Sequence, residues 1–160
     1  MSATSRAPVA IVTGAARRIG ATIDEHLHQR GLNVVVHYRG SAEAAQALIG
    51  QLNRKRSDSA FGVQADLTDA AAPKIILEAA LDAGGRVDVL INNASAFYPT
   101  PAGEATIEQW DDLFASNVRA PFFLAQACAP HLARRGGAIV NLVDIHALVP
   151  MRCANRRRPN

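Results

Sequence analysis

Short runs of branched apolar residues alternate with stretches of helical periodicity along this 160-residue chain, the arrangement expected of βαβ units and a parallel sheet. Val9 to Val12 is a continuous apolar run, as a strand covered on both faces requires. From about Arg18 to Arg30, Ile19, Ile23 and Leu27 fall on one helical stripe, and Gly31 fits the C-terminal cap. Asn33 to His37 reads as the second strand. Ser41 suits the N-cap of a helix whose inner face is Ala45, Leu48, Ile49 and Leu52. Ala60 to Ala65 is a third strand, and Asp66-Leu67-Thr68-Asp69 turns into a helix carrying Ile75, Ile76 and Ala79. Val87 to Ile91 is a fourth strand. A Pro- and Thr-containing loop, Ser95 to Thr106, precedes a long helix from about Ile107 to Arg134. Trp110, Leu113, Phe114 and Phe122 mark that helix's apolar side, and Pro121 should bend it. Gly136-Gly137 then resets the chain for a fifth strand, Ala138 to Val143.

Composition keeps this picture: 49% hydrophobic and 19% charged residues describe an ordinary globular chain. No apolar stretch approaches the roughly 20 residues that span a bilayer, and Met1 to Pro8 lacks the apolar centre of a secretion signal. No membrane association is expected. Cys128 and Cys153 make no disulfide framework, which points to a reducing cytoplasm. Cys128, inside a helical apolar pattern, reads as a small core residue. The net charge is +3, but Arg152, Arg156, Arg157 and Arg158 lie in the last ten residues, leaving residues 1–150 at −1. A basic face for nucleic acid is therefore not indicated, although the tail could hold phosphate weakly through charge. The domain is read as residues 1–150, followed by an unrelated basic tail, residues 151–160.

The first strand runs into Thr13-Gly14-Ala15-Ala16-Arg17-Arg18-Ile19-Gly20 and then a helix. Such a turn presents backbone N–H groups and the positive end of the helix dipole to an anion, and small residues let a pyrophosphate approach. By itself the turn could equally be structural. After the second strand comes His37-Tyr38-Arg39-Gly40-Ser41, with no acid before Glu43. A site for NAD usually places a carboxylate there to take the ribose hydroxyls. Arg39 and Ser41 instead suit a 2′-phosphate, so NADP(H) is the expected cofactor.

Asn92-Asn93-Ala94 closes the fourth strand, Asp66-Leu67 closes the third, and Asn117 lies in Asn-Val-Arg-Ala-Pro-Phe-Phe. With Thr13-Gly14 and Gly20, these marks occur in the order of the short-chain dehydrogenase/reductase family, which residues 8–150 resemble. Three departures narrow the resemblance. Arg18 stands at the middle glycine of the usual loop, Ser95 follows Asn-Asn-Ala where glycine is common, and Asp144 stands where most members carry Ser. TGAARRIG, HYRGSAEAA, NNASAFYPTP and VNLVDIHA together look like the pteridine reductases.

That resemblance implies a Rossmann-like, doubly wound parallel α/β sheet, incomplete here, with about five strands where the family has about seven. It implies NADPH-dependent reduction of a pterin or folate, and family members are usually homo-oligomers, often tetramers. Gly14, Arg18, Ile19, Gly20, Tyr38, Arg39, Ser41, Asp66, Leu67, Asn93, Ala94 and Ser95 would hold the cofactor. Arg18, Ser95 and Phe97 would meet the substrate, and no metal is implied. The residues leave alternatives open: Phe97 could plug the core, Arg18 could be a solvated helix residue, and Ser95 could cap a turn. Gly40 stands where pteridine reductases tend to carry Arg, so Arg39, Ser41 and the Gly40 backbone all compete for the 2′-phosphate.

Asp144 would relay a proton and Asn117 would hold a catalytic Lys through water, beside a Tyr whose phenol needs a nearby cation to titrate toward neutrality. Counted as in the pteridine reductases, that Tyr would fall at Arg157 and its Lys past Asn160. The tyrosines present are Tyr38 and Tyr98, the lysines Lys55 and Lys74, and none matches. The likeness breaks off after Pro150, as a shifted reading frame or misjudged gene end near Met151 would produce. The expectation is a reductase chain truncated before that pair, inactive as written, with Ala138 to Val143 left as an unpaired apolar edge. A carbonyl or 3-oxoacyl reductase of the same family, a silent nucleotide-binding module, and an unstable fragment are the competing readings.

Overall fold

The computed structural model describes residues 7–101 and 103–144; the tail, Cys153 and the segment beyond Asp144 lie outside them. Five strands form one parallel sheet, β1 (Val9–Val12), β2 (Asn33–Tyr38), β3 (Ala60–Gln64), β4 (Val89–Asn92) and β5 (Ala138–Asn141). Their spatial order is β3-β2-β1-β4-β5, the doubly wound order the sequence implied. Between them lie α1 (Arg18–Gln29), α2 (Ala42–Lys55) and α3 (Ala72–Gly84). The long helical stretch divides into α4 (Ile107–Phe114), a π-helical turn (Ala115–Arg119) and α5 (Ala120–Ala133).

Strand alternation divides the core into two layers. Val12, Val34 and Val36 pack with Ala45, Leu48 and Leu52 on the α1–α2 side. Val9, Ile11, Val35 and Leu90 pack with Ile76, Leu124, Cys128 and Leu132 on the α3–α5 side. Side chains of neighbouring strand residues point to opposite faces, so a run such as Val34-Val35-Val36 feeds both layers. Cys128 is buried among them, and burial pushes its thiol up to about 12, as suits a core residue rather than a nucleophile.

Two helices face differently from their apolar pattern. In α1 the buried stripe is Gly20, Asp24 and His28, while Ile23 and Leu27 are half-buried and Ile19 is 62% exposed. The cause is local. A Cβ on Gly20 would stand 2.6 Å from the Gly14 carbonyl oxygen and 2.7 Å from the Asn93 side-chain nitrogen. This contact turns the Gly20 face inward, and the positions four and eight residues on follow it.

The Trp110, Leu113, Phe114 and Phe122 side likewise does not pack on the sheet. Ala120, Leu124, Cys128 and Leu132 do, whereas Trp110, Phe114 and Phe122 are exposed and the first two stack with ring centroids 3.9 Å apart. The expected irregularity is present one turn ahead of Pro121. That proline has no N–H for the Asn117 carbonyl, and the hydrogen-bond ladder widens to a π turn, with the Ala120 N–H donating to the Ala115 carbonyl. β5 borders the described sheet, and all four of its residues are exposed. Among the described residues no helix is long and apolar enough to cross a membrane.

Candidate functional site

The strand order creates the site. The chain builds outward from β1 through β2 to β3, then returns to add β4 and β5 on the other side of β1. The connections leaving β1 and β4 run to helices on opposite faces, opening a crevice at the C-terminal ends of these strands, where open α/β sheets bind ligands.

Thr13 and Asn93 latch the two sides together. The Thr13 hydroxyl accepts the N–H groups of Asn93 and Ala94, each at 3.0 Å, and donates to the Ile91 carbonyl at 3.4 Å. In return, Asn93 Nδ2 donates to the carbonyls of Thr13 and Gly14 at 2.8 and 3.2 Å. Gly14 has φ +63°, and a Cβ there would lie 3.0 Å from Ala94 Cα. On the other flank, the Gly14 N–H donates to His37 Nδ1 at 3.0 Å, and His37 Nε2 lies 3.1 Å from the Ala65 carbonyl oxygen. The turn after β1 is therefore held from both neighbouring strands.

Arg18 opens α1 with φ +54°, a left-handed conformation costing an L-residue about 1–2 kcal/mol. This is the position at which most of the resembled family carries glycine. Arg17, the N-cap, makes no side-chain capping bond, and the first turn contains no acid. Arg17, Arg18 and Ile19 are all exposed. Uncapped amides, a positive dipole end and two cations give this turn the chemistry that favours an anion.

At the end of β2, Tyr38 packs partly against the α1–α2 core. Arg39 is exposed, and its carbonyl accepts from Gln64 Nε2 at 2.9 Å. Ser41 is the N-cap of α2, yet its hydroxyl makes no capping bond, leaving it available beside Arg39. At the end of β3, Asp66 Oδ1 accepts the N–H and hydroxyl of Thr68 at 2.9 and 2.8 Å. Those two bonds hold the Asp66 carboxyl below its ordinary range, helped by the charge of Arg39. The Leu67 side chain is buried in the α3–α5 core, so its backbone is what faces the crevice edge.

Asn117 sits in the π turn and clamps the loop after β4, with both halves of its amide bonded to the backbone of Ala96. Ser95 is exposed, and Phe97 is 75% exposed; it does not plug the core. Tyr98 is committed elsewhere: its hydroxyl donates to Asp112 Oδ2 at 3.0 Å and lies 3.3 Å from the Gln109 carbonyl oxygen. Asp144 follows β5 at the same sheet edge and is exposed. Asn92 and Asn141 pair across β4 and β5, with Nδ2 of the first donating to Oδ1 of the second at 2.8 Å.

His37 and Arg119 emerge from the structure rather than from sequence reading, as does the role of the Thr13 hydroxyl, a residue the sequence marks only as part of the Gly14 turn. Arg119 donates to the Thr68 carbonyl at 2.9 Å, tying the π turn to the loop after β3. His37 carried one signal, a polar residue ending a buried Val-Val-Val run.

Comparison with known proteins places this arrangement. The short chain dehydrogenase family profile matches residues 8–155. The chain is 41% identical to pteridine reductase 1 of Leishmania tarentolae over 94% of its own length and 65% of the relative's. It is 36% identical to the 3-oxoacyl-(acyl-carrier-protein) reductase of Staphylococcus aureus over 85% of its length and 55% of the relative's. A hydroxynaphthalene reductase-like protein of Metarhizium guizhouense is 36% identical over 87% of this chain and 51% of its own. The chain thus spans between about half and two thirds of these relatives' lengths. With the doubly wound sheet, the Gly14–Gly20 turn and the Asn93 latch, this chain belongs to the short-chain dehydrogenase family of oxidoreductases.

Proposed function

We propose that this chain is the cofactor-binding part of an enzyme that reduces a pterin- or folate-type substrate with NADPH. The observation that carries this reading is Arg18, held at φ +54° at the mouth of the crevice. A guanidinium can fork onto phosphate oxygens and also face a planar heterocycle. On the adjoining loop, exposed Phe97 offers a ring face to the same kind of heterocycle, with Ser95 as a hydrogen-bonding neighbour.

The dinucleotide, when bound, supplies the hydride. The chain's own groups do the positioning. Gly14, Gly20 and the uncapped amides around Arg18 and Ile19 fit a pyrophosphate, and Asn93 and Ala94 frame the nicotinamide end. Arg39 and Ser41 take the 2′-phosphate beside Tyr38, and the turn at Asp66 and Leu67 meets the adenine. Asp144 serves as a proton relay. The Asn117 amide is occupied by Ala96, which leaves its backbone carbonyl, without an α-helical donor at Pro121, to hold through a water the family's lysine, which residues 1–160 do not supply. The exposed stack of Trp110 and Phe114 fits burial in a homo-oligomer, and the reading is of a cytoplasmic enzyme.

The likeness to a 3-oxoacyl reductase supports a second reading, in which the substrate is a ketone or thioester ketone. Steady-state assays of the full-length protein separate the two. Dihydrobiopterin and dihydrofolate should be reduced with NADPH far faster than acetoacetyl thioesters. Preference for the thioester would overturn the pteridine reading, and absence of NADPH oxidation with either substrate would overturn both.

A further inference from the structure

His37 ends the buried run Val34-Val35-Val36 and is itself only 2% exposed. Its ring bridges two loops, accepting the Gly14 N–H at Nδ1 and reaching the Ala65 carbonyl oxygen from Nε2. A backbone amide only donates and a carbonyl only accepts, so both bonds require a neutral ring with its proton on Nε2. The His37 carbonyl also accepts the Ala15 N–H at 2.8 Å. One residue therefore holds two consecutive amides of the turn after β1 and, through the same ring, the end of β3.

We propose that His37 is a positioning residue for dinucleotide binding, whose unprotonated imidazole fixes the Gly14 turn and couples it to the turn after β3. The inference rests on the reading of the Gly14–Gly20 turn as the pyrophosphate site. Because His37 consumes the Gly14 N–H, the amides left to meet an anion are those nearer the start of α1. Their direction depends on how the turn is tethered.

Adding a proton at Nδ1 would set two donors against each other and break the Gly14 bond. Burial opposes that proton and lowers the ring's pKa from 6.5, while the bond to Ala65 and the charge of Asp66 favour it. Asp66, on the turn after β3, faces Arg39 at the end of β2. The turn after β1 meets the ring through backbone, and Arg17 and Arg18 beyond it are exposed. Binding competence is therefore complete above the ring's pKa and is lost as pH falls through it.

The test is calorimetric titration of the full-length protein with NADP+, which survives acid, from about pH 8 down to the lowest pH at which the protein stays folded. His37→Asn keeps an acceptor near the Nδ1 position, whereas His37→Gln keeps a donor near Nε2 and loses that acceptor. His37→Asn should bind within about twofold of the unmodified protein at the upper pH, and His37→Gln about tenfold more weakly. The unmodified protein should also show an acid loss that His37→Asn lacks; any slope common to both belongs to the 2′-phosphate. Equal losses in both variants that track their melting temperatures, or an unchanged acid limb in His37→Asn, would overturn the proposal. If neither variant folds, nitrogen NMR of His37 decides: the proposal requires the Nε2–H tautomer where NADP+ binds and a protonated ring where affinity is lost. A ring still neutral there overturns it. Failure of the unmodified protein to bind NADP+ at any pH would instead refute the pyrophosphate reading, and this inference with it.

Discussion

Asn117 and Ala96 hold each other in both directions: the Ala96 N–H donates to Asn117 Oδ1, and Asn117 Nδ2 donates to the Ala96 carbonyl, each at 2.8 Å. A side-chain amide here copies the pairing of a strand neighbour and anchors the loop carrying Ser95 and Phe97 to the π turn. The Ser116 hydroxyl adds a third contact, donating to Asn117 Oδ1 at 3.0 Å.

Replacing Asn117 by Ala removes both bonds while leaving Pro121 and the helix in place. The full-length protein should lose about 1–2 kcal/mol of stability and at least about tenfold in kcat/KM. Asn117→Asp, which keeps the acceptor and loses the donor, should fall between. Chemical unfolding and steady-state kinetics check this, and an Ala variant with unchanged kcat/KM would show that the clamp is irrelevant to turnover.

Arg18 separates stability from function. Arg18→Gly relieves the left-handed conformation and should raise stability by about 1 kcal/mol. The same change removes a cation from the start of α1 and should weaken NADPH binding by about tenfold. Arg18→Lys should keep part of the affinity and none of the gain in stability. A glycine variant that is more stable and binds NADPH as well as before would reduce Arg18 to a solvated residue.

Asp24 is fully buried in α1, and neither carboxyl oxygen has a hydrogen-bond partner among the described residues. Burial raises its pKa well above 3.8. The folded protein therefore holds this proton more tightly than the unfolded chain does. The associated stability is present below about pH 4 and is lost as pH rises toward the folded-state pKa. Asp24→Ala should stabilise by about 1–3 kcal/mol near neutral pH, with a smaller gain in acid. Unfolding midpoints across that range test the sign; a destabilised variant at neutral pH would mean that the carboxyl has a partner.

Arg39→Asp should erode a preference for NADPH over NADH by about tenfold or more, since a carboxylate repels the 2′-phosphate and can accept ribose hydroxyls. Competitive binding titrations measure the ratio. Equal affinities for the two cofactors before any substitution would remove Arg39 and Ser41 from the assignment.

Much of this architecture is local chemistry and is legible in the chain. Val9 to Val12 reads as a strand buried on both faces, and the run from Thr13 to Gly20 as a tight turn into a helix. The alternation of such units implies a parallel sheet, and family marks at Asn93 and Asn117 place the crevice. What periodicity could not supply is how each element is rotated and tethered. Ile19 looked inward by its spacing, but the approach of Gly20 to Gly14 and Asn93 turned α1 so that Asp24 and His28 were buried instead. Trp110 and Phe114 formed an apolar stripe that the fold leaves outside, because Ala120, Leu124, Cys128 and Leu132 already fill the space over the sheet. Pro121 announced a disturbed helix, yet only the fold shows that its π turn carries Asn117 to Ala96. His37 is the clearest case: its neighbours make it a strand residue, but its two partners lie 23 and 28 residues away. Such contacts depend on how three strand ends converge, and that convergence exists only once the sheet is assembled.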